Sequence, residues 1–148
     1  MYEEEVKEIH ALIMALMGTI HDKFFQRLRK HQDFNRQITK NQSKLIGILY
    51  QYDDITATDL ARMLDIEKGS LTTMIDQLQE MGLVIREIDP QDRRKLLLSL
   101  SPAGVEQVEK MMELYRQILE EMFHNVEPGE MNNFIKNLRQ VVEFTGRL

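Results

Sequence analysis

The segment Asp89-Pro90-Gln91-Asp92-Arg93-Arg94-Lys95 places three consecutive cations directly behind a turn signal, in a chain whose formal net charge is -5. Guanidinium and ammonium groups crowded onto a short loop suit an anionic partner. A DNA minor groove concentrates negative potential, which makes Arg its preferred visitor, while neighbouring cations meet phosphates. A second polar set, Lys68, Gly69, Ser70, Thr72, Thr73, Asp76 and Gln77, falls within one short stretch. Its short donors and acceptors match the hydrogen-bonding edges of bases, and Gly69 lets a backbone come close. Taken alone, each set also describes an ordinary solvated surface.

Other chemistry is sparse. Without Cys the chain has no disulfide, thiolate nucleophile, cysteine-based zinc site or cysteine redox sensor. The adjacent carboxylates Asp53 and Asp54 point in different directions at a helix end, and none of the four His has a Ser or second His at helical spacing. His10 and His21 share a helix face but stand ~16 Å apart by helix rise, too far to hold one metal ion. His124 can join one of them only across a dimer. The expectation is no catalysis, no cofactor and no resident metal.

The charge is also segregated along the chain. Lys23, Arg27, Arg29, Lys30, Arg36, Lys40 and Lys44 are opposed only by Asp33, whereas seven Glu between Ala103 and Glu130 face Lys110 and Arg116. A phosphate-facing surface and a distal acidic one would produce this pattern, as would two solvated helix faces. No run of eighteen apolar residues appears and the first residues, MYEEEVKE, are acidic, so neither a membrane span nor a secretory signal is expected. A cytoplasmic location is the expectation.

The elements that must carry these residues can be read from periodicity. Val6, Ile9, Ile13, Leu16, Ile20, Phe24 and Leu28 form one long helical stripe, and Val105, Val108, Met112, Tyr115, Leu119 and Met122 form another. Met131, Phe134, Leu138 and Val141 form a third, and Ser101-Pro102 and Pro128-Gly129-Glu130 are helix starts. Such stripes need burial, and pairing with a second copy is the economical solution. A further helix spans Ile38 to Tyr50. Thr56 with Asp59 makes a capping-box pattern before Leu60, Ala61 and Leu64, Asp65 suits a left-handed turn, and a helix from Lys68 buries Leu71, Met74, Ile75 and Leu78 before Gly82 stops it. That is a helix-turn-helix. After it the period becomes two, over Leu83 to Ile88 and Leu96 to Leu100, which predicts a β-hairpin with the cations at its tip and Leu96, Leu98 and Leu100 anchoring the returning strand.

This order of elements, and DPQDRRKLLLSLSPAG in particular, resembles the MarR family of winged helix-turn-helix transcriptional regulators. The marks are Thr56, Leu60, Ala61, Leu64, Leu78, Gly82-Leu83-Val84, Asp92-Arg93-Arg94, Leu100, Ser101 and Gly104. The resemblance implies a mainly α fold with a small β-hairpin wing, as one domain over residues 1–148. Residues 1–37 and 101–148 would supply N- and C-terminal dimerisation helices, and residues 38–100 a winged lobe that binds DNA. It implies a homodimeric repressor on a pseudo-palindromic stretch of double-stranded DNA, released by a small aromatic or phenolic effector. Carried over, it assigns Lys68, Gly69, Ser70, Thr72, Thr73 and Gln77 to the major groove and Arg94 to the minor groove. Arg93 and Lys95 then face phosphates, Asp92 orients the Arg94 guanidinium, and Thr39, Lys40 and Ser43 hold the backbone. Plausible effector linings are Ile13, Met17, His21, Ile46 and Met112. Members of the family commonly have Arg where this chain has Thr73 and Gln77, which shifts affinity toward the wing and the basic stretch. The alternative from another class is a winged helix that binds protein through its acidic C-terminal region.

Overall fold

The computed structural model describes residues 2–31, 38–52 and 54–148. Asp33 and Arg36 of the basic stretch, and Asp53 of the carboxylate pair, lie outside the described residues. The helices are α1 (Glu3–Ile20), which continues through a π-helical segment (His21–Phe25) into α2 (Gln26–Lys30), then α3 (Lys40–Gln51), α4 (Ala57–Leu64), α5 (Lys68–Glu80), α6 (Pro102–Phe123) and α7 (Pro128–Thr145). The strands are β1 (Ile55–Thr56), β2 (Val84–Ile88) and β3 (Leu96–Leu100). Contacts divide the chain into two compact units, Leu28–Tyr115 and Met1–Arg27 with Arg116–Leu148.

The first unit is a winged helix. Its core is made by Leu45, Ile46 and Leu49 of α3, Leu60 and Ala61 of α4, Leu71, Ile75 and Leu78 of α5, and Leu98 of β3, with Leu83, Val84 and Val108 completing the cluster. Local chemistry sets the element ends. Thr39 and Gln42 form a full capping box, so α3 starts two residues later than the apolar pattern suggests. At α4 the Thr56 hydroxyl accepts from the Asp59 amide at 3.1 Å, as a capping box predicts, but the Asp59 carboxylate bonds the Thr56 hydroxyl at 2.8 Å rather than its amide. Asp65 ends α4 at φ 52° and ψ 51°, the left-handed geometry its short polar side chain tolerates. Gly82 stops α5 at φ 73°.

The wing is antiparallel, with Val84 opposite Leu100 and Ile88 opposite Leu96. The sheet has three strands in the order β1-β3-β2, because Ile55 and Thr56 pair with Leu98 and Leu97. A two-residue strand is too short to show alternation, which is why the sequence predicts only a hairpin. Central β3 makes Leu98 fully buried, while Leu96 at its outer end keeps 36% of its surface and does not anchor the strand as expected.

The joint between wing and α6 is tight. Ser101 donates its amide to the Leu83 carbonyl at 3.0 Å and its hydroxyl to the Gly82 carbonyl, and its Oγ accepts from the Gly104 amide at 3.0 Å. A Cβ on Gly104 would lie 2.1 Å from that same Leu83 oxygen, so only Gly fits there.

In the second unit the apolar stripes are exposed. Val6, Ile9, Ile13, Leu16 and Ile20 of α1 keep 43% to 51% of their surface. On α7, Phe134, Ile135, Leu138, Val141, Val142 and Phe144 are likewise exposed, although Phe134 meets Phe123 with ring centroids 5.6 Å apart. The π segment falls where the stripe advances by four residues at each step, from Leu16 to Ile20, Phe24 and Leu28, faster than a 3.6-residue turn can follow. No described helix is long and apolar enough to cross a membrane.

Candidate nucleic-acid interface

Helix α5 separates its residues by face. Leu71, Ile75 and Leu78 are buried, while Lys68, Gly69, Ser70, Thr72, Thr73, Asp76 and Gln77 are all exposed, as the sequence predicts. At Gly69 a Cβ would meet nothing within 4 Å, so packing does not require glycine there. The two threonines differ from expectation in what they offer. Thr72 donates its hydroxyl to the Lys68 carbonyl at 2.9 Å and Thr73 to the Gly69 carbonyl at 3.2 Å. Their protons are committed to the helix and their lone pairs face outward as acceptors.

Two side chains fasten this helix to its neighbours. Asp76 forms an ion pair with Arg86 of β2, which ties the exposed polar face of α5 to the wing. Arg86 is largely covered, and its Nε is buried without a partner among the described residues. Gln77 accepts at 2.7 Å from the Nε2 of Gln42, a buried residue in the first turn of α3. Sequence reasoning missed Gln42. The Thr39-x-x-Gln42 spacing was its signal, since a capping box makes a helix start and turns the Gln side chain back toward it.

The wing loop is built from nested turns. Asp89 accepts from the Gln91 amide at 2.8 Å through its side chain, and its own amide donates to the Lys95 carbonyl at 3.0 Å. Asp92 accepts from the Arg94 amide at 3.0 Å, and its carbonyl from the Lys95 amide at 2.9 Å. Asp92 therefore orients Arg94 through the backbone, by closing an Asx turn, rather than by gripping the guanidinium as expected. Arg93, Arg94 and Lys95 are exposed and have no ion-pair partner among the described residues.

At the start of α3, Thr39 and Lys40 are exposed and Ser43 is half-buried. Thr39 Oγ1 accepts from the Gln42 amide at 3.2 Å, which leaves its hydroxyl proton for an outside acceptor. The expected effector residues divide between the units. Ile13, Met17 and His21 belong to the unit containing α1 and are exposed, Met112 of α6 is also exposed, and Ile46 has no exposed surface because it is part of the winged-helix core. In α6 the hydrogen bond and charge of Lys110, 2.5 Å away, hold the Glu106 carboxyl below its ordinary pKa. No group of three or more His, Asp and Glu among the described residues is arranged to hold a metal ion.

Residues 38–96 match a family model described as MarR family. The HTH-type transcriptional regulator YdgJ of Bacillus subtilis is 29% identical over 104 residues, a span covering 70% of this chain and 63% of that protein. Among solved structures, wild-type MarR from E. coli in its apo form is 26% identical, with a TM-score of 0.68 over 86% of this chain and 94% of that one. FabT of Streptococcus pneumoniae, solved in complex with DNA, is similar in fold, with a TM-score of 0.71 at 17% identity over 96% of this chain and 98% of that one.

Proposed function

We propose that this chain is a member of the MarR family and a homodimeric, sequence-specific DNA-binding regulator that represses transcription from a pseudo-palindromic operator. The observation that carries the reading is the wing tip. In a chain of net charge -5, Arg93, Arg94 and Lys95 are exposed and unpaired among the described residues, in the same compact unit as the exposed polar face of α5. Charges left unneutralised by their own protein are suited to phosphates and to the minor groove. Lys68, Gly69, Ser70, Thr72, Thr73 and Gln77 take the major groove, and Thr39 and Lys40 meet the backbone. The likeness in fold to FabT, which was solved in complex with DNA, supports DNA as the class of partner.

Dimerisation follows from the exposed stripes of α1 and α7, since apolar surface of that extent marks an association face. Two copies related by a two-fold axis place two α5 helices on two half-sites, which makes the operator pseudo-palindromic. The proposed site of action is the cytoplasm, where such DNA is met.

A salt series tests the reading. Binding through about six phosphate contacts weakens on the order of a thousandfold between 50 and 200 mM salt. Arg94→Ala should further weaken operator binding by at least about 1 kcal/mol without dissociating the dimer. An affinity flat in salt sinks the DNA assignment and favours a protein partner.

A further inference from the structure

We propose that Gln42 is a positioning residue that holds the Gln77 amide with its carbonyl turned inward and its NH2 available to DNA, so that α5 offers a donor, not an acceptor, at that base pair. The inference deepens the regulatory reading above and rests on it.

The orientation follows from a chain of partners with a fixed beginning. An amide oxygen and nitrogen have nearly the same shape, so their assignment must come from the groups they meet. The backbone N–H of Thr39 can only donate, and it meets Gln42 Oε1 at 2.8 Å. Gln42 Nε2 therefore lies on the other side of its amide, 2.7 Å from the Gln77 side chain. Facing an NH2 group, the Gln77 atom must be the acceptor Oε1. Gln77 is exposed, and its own NH2 is the last member of the relay.

Burial makes this arrangement hard to reverse. Gln42 keeps 4% of its surface and is the most deeply covered polar side chain among the described residues. Turning Gln77 over would set two NH2 groups against each other and leave a buried donor without a partner, which proteins avoid. A free glutamine reads adenine with both ends, accepting from N6 and donating to N7. With Oε1 turned to Gln42, the Gln77 NH2 matches two acceptors on guanine, O6 and N7, or the O4 of thymine, whereas on adenine it finds N7 alone beside an N6 amino group that repels it. It has nothing to offer the N4 amino group of cytosine.

The test is selection of bound sequences from a random duplex pool at pH 8, using the full chain as wild type and as Gln77→Ala, Gln42→Glu and Gln42→Met. Gln77→Ala locates the base pair by the preference it erases. Wild type is expected to favour guanine or thymine there. In Gln42→Glu the carboxylate accepts from both the Thr39 amide and the Gln77 NH2, so Gln77 turns over and preference passes to cytosine or adenine. The expected change in relative affinity is about threefold to tenfold, the worth of one hydrogen bond. Gln42→Met fills the same space without polar demands, keeps the test intact if the Glu variant does not fold, and should flatten the preference. A purely structural role for Gln42 would lower affinity for every sequence and leave the ranking of bases unchanged, which overturns the inference. So does an unchanged motif in Gln77→Ala. If wild type enriches no sequence at all, the regulatory reading itself fails and the inference falls with it.

Discussion

Replacing Gly104 by alanine should unfold the joint between the wing and α6. The added Cβ would stand 2.1 Å from the Leu83 carbonyl oxygen, and 3.1 Å from a Leu100 methyl carbon. The first distance is about an ångström inside the closest approach a carbon makes to a carbonyl oxygen. Backbone cannot rotate away as a side chain does, so the start of α6 must shift. That shift breaks the Ser101 amide bond to Leu83 and the Ser101 hydroxyl bond to Gly82, each worth about 1 kcal/mol. It also strains the Ser101 cap on the Gly104 amide, worth about another 1 kcal/mol. Alanine returns roughly 0.5 to 1 kcal/mol through its better helix propensity. The net loss is about 2 to 2.5 kcal/mol, a large part of a typical domain's stability. Denaturant unfolding at fixed protein concentration measures it, with Gly129→Ala as control. A Cβ at Gly129, in the first turn of α7, meets nothing within 4 Å, so that variant should stay within about 0.5 kcal/mol of wild type or gain slightly. If Gly104→Ala is as stable as wild type, the joint does not depend on that close approach and the reasoning is wrong.

Gly69→Ala should separate stability from function. Nothing within 4 Å opposes its Cβ, so the helix gains about 0.5 to 1 kcal/mol in a melting experiment, while DNA affinity falls because the backbone of α5 can no longer come as close; equal or tighter DNA binding would remove Gly69 from the interface. Val142→Glu, at an exposed apolar position of α7, should weaken self-association by at least about 2 kcal/mol, measured by analytical ultracentrifugation, because a carboxylate is costly inside an apolar contact. A dimer of unchanged strength would place the association face elsewhere.

Much of the lobe was legible because its signals are local. Asp65 and Gly82 announce left-handed backbone in their residue types, and Ser101-Pro102 announces a helix start. The exposed face of α5 follows from the spacing of Leu71, Ile75 and Leu78 alone. What escaped depends on contacts between distant segments. β1 exists because β3 has a free edge for Ile55 and Thr56, not because those residues alternate. The ion pair of Asp76 with Arg86 and the bond from Gln42 to Gln77 join residues 10 and 35 positions apart, a separation no periodicity encodes. The bond made by Asp92 differs from expectation for a related reason. Two residues suffice for an Asx turn, so its carboxylate takes the near backbone amide before it can reach the guanidinium.

The π segment at His21–Phe25 has a consequence for how this helix tolerates change in length. A π turn accommodates one residue more than an α-helical turn would, so the surplus residue is stored locally and the flanking helices keep their own phase. Deleting one residue between His21 and Phe25 regularises the hydrogen-bond ladder. The same deletion in the middle of α1 would rotate everything beyond it by about 100° and scatter the apolar stripe around the helix. Length variation in this helix is therefore expected to concentrate in those five residues.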